Sequence, residues 1–498
     1  MDATVPTCTL DRRVCEQARL TRDARFDGLF FTAVVSTGIY CRPVCPAPAP
    51  QPRNVRYYDS AAAAAAAGFR PCLRCRPEAA PGSPLHRAKS ELVAGALRLI
   101  EQGALDEGSL PALAARVGVG ERHLRRMFAD ELGASPLDVA ATRRLLFAKQ
   151  LLDETALPVA RIAEASGYAS LRRFNAAFVA AWGKPPRTLR RTRSAAPAPA
   201  GAIPDSPFPI PGSISLRLPY RAPYDFSHLL EFYARRAIPG VEIVDVHGYR
   251  RSIVIDGEPG WFAVAPIAGD DALALRVQHP RSHALGPLVA RVRCMFDVDA
   301  DPRAVAATFR RSALLRPLMR RWPGQRVPGA WDGFELAVRA VLGQQVSVAA
   351  ARTLAARVAA NYGTPYPDGA AVGLSALFPT PAQLAEAPLE TQGITRARAA
   401  TIRGLAQGVL DGRLAFRAGQ PLAQFEADLV ALPGIGPWTA HYIALRALAQ
   451  PDAFPAADLI LRRAAGQGRT LTTRELETLS EAWRPWRAYA VMLLWRSA

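Results

Sequence analysis

The sequence predicts a multidomain α+β protein: a small cysteine-rich domain, an all-α region, and then an antiparallel sheet followed by a helical bundle. The 498 residues exceed what one hydrophobic core supports. Six of the seven cysteines lie in the first 75 residues. A Pro/Ala-rich linker, residues 194–213, separates a region of helical periodicity from one that opens with alternating apolar residues.

Positive charge is spread along the chain. The formal net charge is +19, with 62 Lys and Arg residues against 43 Asp and Glu residues. A GC-rich genome would explain the use of Arg over Lys, but it would not explain the excess of basic over acidic residues. Because residues 1–200 and 201–498 both carry this excess, we expect a polyanionic partner, a nucleic acid, that more than one domain contacts.

No segment predicts a membrane protein or a secreted one. No apolar run approaches the roughly 20 residues needed to cross a bilayer. The first residues, Met-Asp-Ala-Thr, do not begin a signal peptide. We therefore expect a soluble, cytoplasmic protein with no membrane partner.

Two closely spaced cysteine pairs predict a metal site. Thiols clustered in this way in a cytoplasmic protein favour metal binding over disulfides. Four thiolates from two such pairs can surround one tetrahedral Zn²⁺ ion. The predicted zinc ligands are Cys41, Cys45, Cys72 and Cys75. A zinc ion with a purely structural role is the alternative.

Residues 1–82 resemble the zinc domain of the bacterial adaptive-response protein, which accepts a methyl group from a DNA methylphosphotriester. The similarity includes residues 26–31, Arg42-Pro43 and the alanine-rich segment 61–68. The resemblance implies that Cys41 is the methyl acceptor, and a zinc-bound thiolate has the nucleophilicity that this transfer needs. Residues 46–52 are rich in Pro and Ala where that family has basic residues.

Residues 84–193 predict two helix-turn-helix units. Each unit has an apolar helix, a glycine turn and a helix rich in arginine, with the turns at Gly118 and Gly167. One long helix, around residues 143–153, is expected to join them. Arginines on a solvated face of a helical spacer would be the structural alternative.

The paired units resemble the arabinose-regulator family of transcription activators. In that family two recognition helices enter successive major grooves, and here they would be residues 122–128 and 171–178. The resemblance implies double-stranded DNA as a partner and RNA polymerase as a second partner through the activator region.

Sequence periodicity changes again after the linker. Residues 214–301 contain five short alternating segments separated by Gly or Pro, which predict an antiparallel sheet with one helix at residues 226–238. Residues 302–498 predict a compact helical bundle. Within the bundle, residues 333–362 read as one long helix.

Residues 432–440, Leu-Pro-Gly-Ile-Gly-Pro-Trp-Thr-Ala, predict a hairpin that leads into an amphipathic helix. The glycines, Gly434 and Gly436, permit a tight turn. Free backbone amides at the start of the helix form an anion site. In a basic protein we expect this anion to be a DNA phosphate.

The C-terminal region resembles the helix-hairpin-helix DNA glycosylases, and within them 3-methyladenine DNA glycosylase II. The similarity rests on five segments, at residues 223–226, 340–348, 378–381, 432–440 and 483–487. It implies a catalytic role for Asp458 and a DNA wedge at Gln345, where relatives carry leucine. It also implies a base pocket formed by Trp438, Tyr442 and Trp495.

A carboxylate beside an aromatic pocket suits the release of an N-alkylated purine, because the base is already cationic before the glycosidic bond breaks. The step then needs a carboxylate that stabilises the cationic sugar and positions water. Electron-rich aromatic rings favour a flipped cationic base. The alternative roles are a helix cap for Asp458 and core packing for Trp438 and Tyr442. At Ala457 the relatives have a second acid.

The predicted activity is hydrolysis without strand cleavage. Residues 201–498 contain no lysine, so they offer no amine that could form a Schiff base with the sugar. We therefore predict a monofunctional glycosylase for alkylated purines, fused to an alkylation sensor and transcription activator. Two alternatives remain: a non-enzymatic regulator whose C-terminal half only grips DNA, and a glycosylase for another lesion such as uracil or an oxidised base.

Overall fold

The structure, a computed structural model, describes four stretches of the chain: residues 8–82, 90–190, 212–416 and 419–498. The predicted linker at 194–213 lies almost entirely outside these residues. The chain divides into two compact units. Unit 1 contains the described residues up to 190 with residues 215–221 and 281–291, and unit 2 contains the other described residues.

Unit 1 begins with a small mixed sheet. Strand β1 pairs antiparallel with β2 and with β3, while β2 pairs parallel with β4, giving the order β3-β1-β2-β4. The Ser60 hydroxyl caps the short alanine helix of this region. The elements are α1 (Arg12–Leu20), β1 (Phe31–Val34), β2 (Ile39–Cys41), β3 (Val55–Tyr58), α2 (Ala61–Ala66) and β4 (Arg70–Pro71).

The rest of unit 1 is helical, as predicted. A serine caps α4, and a capping box between Ser135 and Asp138 begins the long helix α6. Both predicted turn glycines, Gly118 and Gly167, have positive φ angles, of 78° and 80°. The helices are α3 (Glu91–Glu101), α4 (Leu110–Arg116), α5 (Glu121–Leu132), α6 (Pro136–Glu154), α7 (Val159–Ala165), α8 (Leu171–Trp182) and α9 (Pro186–Leu189).

The five predicted strands after the linker are present. Strands β6 to β9 form antiparallel neighbours in chain order. Helix α10 ends at Ala234, so the prediction that it continues to Ile238 was wrong. Ile238 itself precedes Pro239, a position that disfavours helical conformation. The elements are β5 (Ile214–Pro219), α10 (Phe226–Ala234), β6 (Glu242–Asp245), β7 (Gly248–Ile255), β8 (Glu258–Pro266) and β9 (Ala272–Gln278).

A helical bundle follows, in which α14 packs against α17 and α19. The elements are α11 (Leu285–Met295), α12 (Pro302–Phe309), α13 (Leu315–Arg321), α14 (Gly333–Leu342), α15 (Val348–Tyr362), β10 (Thr364–Pro365), β11 (Ala376–Leu377), α16 (Pro381–Ala385), α17 (Arg396–Leu410), α18 (Leu422–Val430), α19 (Pro437–Ala447), α20 (Leu459–Gly466), α21 (Thr473–Ser480) and α22 (Arg487–Ser497).

The prediction of one helix over residues 333–362 was wrong. The chain breaks between α14 and α15, where Gln345 takes a left-handed φ of 55°. The Ser347 side chain then accepts a hydrogen bond from the Ala350 amide at 3.2 Å and caps the new helix. The apolar periodicity runs through the break, which is why it did not reveal the turn.

The predicted fold class is confirmed: a multidomain α+β protein with a small mixed-sheet domain, a helical region and an antiparallel sheet before a helical bundle. Among the described residues, no helix combines the length and the apolar character needed to cross a bilayer.

Candidate functional site

The two cysteine pairs meet at one end of the small sheet in unit 1. Because β2 runs parallel to β4, with Tyr40 opposite Pro71, the chain reaches the two pairs side by side. The Cys72 amide donates to the Tyr40 carbonyl at 3.0 Å and fixes this alignment. The sulfur atoms of all four predicted ligands lie within 4.8 Å of one another: Cys41, Cys45, Cys72 and Cys75.

The donor set fits one zinc ion. Cys72 and Cys75 are buried, while Cys41 and Cys45 are partly exposed. Hydrogen bonding to Cys45, and then to Cys72, raises the pKa of the Cys41 thiol above its ordinary range. Four thiolates this close repel one another, and a divalent cation removes that repulsion. The cluster is therefore a zinc site with four sulfur ligands.

Arg42 supports the cluster from behind. Its backbone amide donates to the Cys75 sulfur at 3.3 Å, and its Nη1 donates to the Cys75 carbonyl at 3.0 Å. The guanidinium is held in turn by Asp27, which accepts from Nε at 2.8 Å. Such outer contacts orient metal ligands and limit their movement.

A cavity of about 750 Å³ opens beside the cluster within unit 1. Cys41 lines it together with Thr32, which lies directly opposite Cys41 in the β1–β2 register. Trp182, the last residue of α8, also lines the cavity. Cys41 is thus both a ligand of the cluster and a side chain that a molecule entering from solvent can reach.

Cys8 and Cys15 do not join the zinc site. Their sulfur atoms lie 3.7 Å from each other, and the Cys8 thiol donates to Asp59 at 3.2 Å. Cys15 is fully buried in an apolar cluster with Phe30 and Tyr57. Both cysteines therefore have packing partners within the small domain.

The two helix-turn-helix units bury equivalent faces of their second helices, and both of these helices expose arginines. In α5 the buried side chains are Leu124, Phe128 and Leu132, and in α8 they are Phe174, Phe178 and Trp182. In both helices the buried residues recur every four positions, so each helix has one buried face and leaves its other face in solvent. The exposed arginines on the two predicted recognition helices are Arg122, Arg125, Arg126, Arg172 and Arg173.

In unit 2, Asp458 lies at the start of α20 and has three N–H partners. Its Oδ1 accepts from the Leu461 amide at 2.9 Å, so the residue does cap the helix, as the structural alternative proposed. Trp438 donates its indole N–H to Oδ2 at 2.8 Å, and Trp495 donates to Oδ1 at 3.3 Å. The carboxylate is therefore anchored by two of the predicted pocket residues.

The predicted aromatic residues line one cavity with that carboxylate. Trp438 and Tyr442 are parallel, with ring centroids 5.5 Å apart and an interplanar angle of 4°. The ring centroid of Trp495 lies 6.3 Å from that of Tyr442. These three rings and Asp458 line a cavity of about 1200 Å³, and all three rings are partly exposed rather than packed in the core.

The predicted hairpin borders the same cavity. Gly434 has a φ of 90°, and an added Cβ there would lie 2.2 Å from the Thr401 hydroxyl, so only glycine fits. Gly436 has open space around it and an extended backbone. The neighbouring Gln344 amide donates to the Gly434 carbonyl at 2.9 Å, which ties the hairpin to the exposed turn containing Gln345.

Sequence reasoning did not find the arginines around Tyr442. Arg446 donates from Nη1 to the Tyr442 hydroxyl at 2.8 Å, and Arg236 and Arg339 line the same cavity. Arg446 stands four residues after Tyr442 on α19, a spacing that places both on one helix face and that could have indicated the pair.

Four family models match this chain, in the order that the sequence predicts. They are the metal binding domain of Ada over residues 14–78, a helix-turn-helix domain over 113–192, the AlkA N-terminal domain over 215–332, and the HhH-GPD superfamily base excision DNA repair protein over 338–488. The domain types, the DNA partner and the zinc cofactor are therefore as predicted.

Individual relatives cover the whole chain or one part of it. DNA-3-methyladenine glycosylase 2 of Escherichia coli is 35% identical over 56% of this chain and 95% of its own length. The E. coli bifunctional transcriptional activator/DNA repair enzyme Ada is 43% identical over 24% of this chain and 32% of its own length.

One relative spans the complete arrangement. The Mycobacterium tuberculosis protein described as a probable bifunctional transcriptional activator/DNA repair enzyme AlkA is 42% identical over 482 residues, which are 97% of this chain and 95% of that protein. Identity at this level over nearly the full length of both chains includes every domain described above. The chain therefore belongs to the family of bifunctional transcriptional activator/DNA repair enzymes.

Proposed function

We propose that unit 2 releases alkylated purines from DNA by hydrolysis, with Asp458 as the catalytic carboxylate. The observation that carries this proposal is the position of Asp458, which two indole N–H groups hold at an aromatic cavity of about 1200 Å³. An N-alkylated purine is cationic while it is attached to the sugar and leaves as a neutral base when the glycosidic bond breaks. The remaining task is to stabilise positive charge on the sugar, which a carboxylate does directly.

The step balances with water as its one co-reactant. The bond between C1′ and the base nitrogen breaks, and its electron pair stays with the base. Water adds to C1′ and loses a proton, leaving an abasic sugar in DNA. Asp458 orients the water and balances the sugar charge, while Trp438 and Tyr442 stack on the flipped base. No lysine is present in residues 201–498 to carry the reaction on to strand cleavage.

DNA binding would use the hairpin and the turn beside it. We assign Gly434 and Gly436 to a contact with the DNA phosphate, because both are exposed and precede the start of α19. We assign Gln345 as the wedge that fills the space left by the flipped base. Its exposure and left-handed backbone at the edge of the cavity support that role.

We propose a second, stoichiometric reaction at Cys41. The thiolate sulfur attacks a methyl carbon of a DNA methylphosphotriester, the carbon–oxygen bond breaks, and a phosphodiester and a thioether remain. A zinc ion held by the four cysteines keeps their sulfurs deprotonated at neutral pH. Partial exposure of Cys41 at the 750 Å³ cavity supports its choice over the buried Cys72 and Cys75.

The two helix-turn-helix units would couple methyl transfer to Cys41 to the activation of transcription. Neutralising one thiolate lowers repulsion from DNA phosphates, and the helices α5 and α8 then bind successive major grooves. RNA polymerase is the proposed partner of the DNA-bound activator. We assign the functional domains as 1–82 for methyl acceptance, 84–193 for DNA binding, 194–213 for the linker, and 214–301 with 302–498 for the glycosylase.

An Asp458→Asn variant tests the excision mechanism. Asparagine still caps α20, so the variant removes the charge and keeps the helix start. We expect base release from methylated DNA to fall by about 10³-fold, with DNA affinity retained. Asp301→Asn, the same change at the N-cap of α12, is the matched control and should release base normally. Unchanged release by Asp458→Asn would rule out the mechanism.

Cys41→Ala tests the methyl transfer. Incubation with DNA that carries labelled methylphosphotriesters should leave no label on this variant and one label on the wild type. Cys8→Ser is the control, because Cys8 lies outside the zinc site. Label found on Cys72 or on any other cysteine by peptide mass spectrometry would contradict the assignment.

A further inference from the structure

The hydroxyl of Tyr442 is held by a buried guanidinium. Arg446 is 5% exposed and donates from Nη1 to this hydroxyl at 2.8 Å. Its other nitrogens donate to two backbone carbonyls, from Nε to Pro328 at 2.9 Å and from Nη2 to Gly329 at 3.1 Å. Arg446 therefore cannot turn away from Tyr442 without breaking two further hydrogen bonds.

Two arginines beside Tyr442 lack a carboxylate partner. Within the described residues, neither Arg446 nor Arg236 forms an ion pair with Asp or Glu, whereas the nearby Arg339 has two such pairs. Both guanidinium groups instead lie over the Phe232 ring, that of Arg446 at 4.8 Å and that of Arg236 at 3.7 Å from its centroid. Arg446 is buried and Arg236 is half-buried. Cations withdrawn from water without a counter-ion are costly, so this site favours an anion beside them.

Tyr442 is the group that can supply the anion. Burial alone would raise the pKa of its phenol, but the charges of Arg446 and then Arg236 outweigh burial and lower the pKa to about 8. Arg339 acts in the same direction. The cavity wall also carries three further arginines, two carboxylates and one histidine whose pKa burial lowers: Arg235, Arg352, Arg496, Glu231, Asp458 and His228.

The ring that would carry this charge faces the proposed base pocket. Tyr442 stacks parallel on Trp438, and both line the cavity with Asp458. An ionised phenol has more electron density in its ring than a neutral one. Its attraction for a cationic base is therefore stronger, whereas its effect on a neutral base is small.

We propose that Tyr442 determines specificity in its ionised form: a tyrosinate held by Arg446 and Arg236 favours cationic N-alkylated purines over neutral purines. The proposal rests on the proposed base release by unit 2. It adds a consequence that aromatic stacking alone does not have, namely that the preference for cationic bases increases as the solution becomes more alkaline.

An optical titration of the full chain tests the ionisation without catalysis. The near-ultraviolet absorbance of tyrosinate in the wild type, minus that of Tyr442→Phe, should show one transition near pH 8. Arg446→Met should move this transition toward the ordinary tyrosine value of about 10. If Arg446→Met does not fold, Arg236→Met should give the same direction of change. Superimposable titrations of wild type and Tyr442→Phe below about pH 9 would overturn the proposal.

A substrate comparison tests the specificity. Single-turnover release of 3-methyladenine, a cationic base in DNA, is divided by release of hypoxanthine, a neutral purine, after subtraction of spontaneous loss. We expect this ratio to rise about fivefold between about pH 7 and about pH 9 in the wild type and to stay flat in Tyr442→Phe. A flat ratio in the wild type, or an equal rise in both proteins, would overturn the proposal.

The two tests separate this proposal from the proposed function. Asp458→Asn should lose release of both bases and keep the tyrosine transition, because the transition needs only the arginines. A wild type with the transition but no base release would contradict the glycosylase mechanism alone. A wild type that releases base but lacks the transition would contradict only the role of Tyr442.

Discussion

In the cysteine cluster of unit 1 four thiol groups lie close together, whereas in the aromatic pocket of unit 2 a single carboxylate accepts hydrogen bonds from three N–H donors. The four sulfurs are within 4.8 Å of one another. Asp458 accepts from a backbone amide and from two indole groups at 2.8 to 3.3 Å. The first arrangement concentrates negative charge, and the second distributes donors around a single negative charge.

The difference indicates what each site needs before it can act. Sulfurs at this separation cannot all be thiolates without a cation, so the cluster depends on zinc for its reactive state and for its shape. The carboxylate of Asp458 is held by side chains of the protein itself, on α19 and α22. Unit 2 should therefore be competent without metal, and perturbations can be chosen that affect only one of the two sites.

Metal removal is expected to have the largest effect and to affect only unit 1. Binding of a structural zinc ion contributes about 10–16 kcal/mol in small zinc domains, so chelation should unfold the small sheet domain. Methyl uptake should be lost completely, and calorimetry should show the lowest-temperature transition disappear. Base release from methylated DNA should stay within about twofold of the untreated protein. A parallel loss of base release would show that the two sites are not independent.

Removal of one indole N–H should weaken the pocket selectively. Hydrogen bonds to a charged group contribute about 1.5–3 kcal/mol, so Trp438→Phe should slow base release at least about tenfold. Trp495→Phe should have a smaller effect, because its hydrogen bond is 3.3 Å long against 2.8 Å for Trp438. Single-turnover release is the measurement.

Trp486→Phe is the matched control for these two variants, since Trp486 lies outside the cavity and packs against Tyr489. It should release base like the wild type. Equal losses in all three variants would mean that the changes act through stability and not through Asp458. Methyl uptake by Cys41 should be unchanged in every case.

The parts of both sites that the sequence could predict are those encoded locally. A few consecutive residues are enough to recognise each of three features: the two cysteine pairs, the hairpin with the helix after it, and the lone aspartate before α20. Ser and Asp caps and turn glycines likewise mark helix ends. The structure places the four predicted zinc ligands together, and it places Trp438, Tyr442, Trp495 and Asp458 around one cavity.

Features that depend on distant partners could not be predicted. The counter-ion problem at Tyr442 arises because Arg236, more than 200 positions earlier, and Arg446 meet without a carboxylate. The break between α14 and α15 was missed because a single glycine is tolerated in a helical pattern and the apolar periodicity continues through Ser347. The contact between Cys8 and Cys15 likewise requires the folded position of residue 8 against β3.

The hairpin offers a milder change within unit 2. Gly434→Ala combines a φ of 90° with a Cβ that would lie 2.2 Å from the Thr401 hydroxyl, so it should destabilise the unit by about 1–3 kcal/mol and weaken DNA binding. Gly436→Ala is the control for strain, because its Cβ would meet open space. Urea unfolding and DNA affinity together are the measurements.

The two glycine variants should then differ in kind. Gly434→Ala should lower both stability and affinity, while Gly436→Ala should leave stability unchanged and lower affinity only through a methyl group placed near the phosphate. An unchanged affinity in Gly436→Ala would remove that glycine from the proposed phosphate contact. An unchanged stability in Gly434→Ala would show that the hairpin relaxes around the added methyl.

The smallest expected effect concerns Gln345, whose side chain is exposed and whose backbone is left-handed. Gln345→Gly removes the side chain and relieves the backbone strain, whereas Gln345→Asn keeps a polar side chain that tolerates this conformation. If the side chain fills the space of the flipped base, the glycine variant should release base about threefold more slowly and the asparagine variant less so. Because the glycine turn is itself unstrained, a loss of release would come from the missing side chain. Wild-type rates in Gln345→Gly would instead assign the wedge to a neighbour on the same turn, of which Val346 is exposed and lines the cavity.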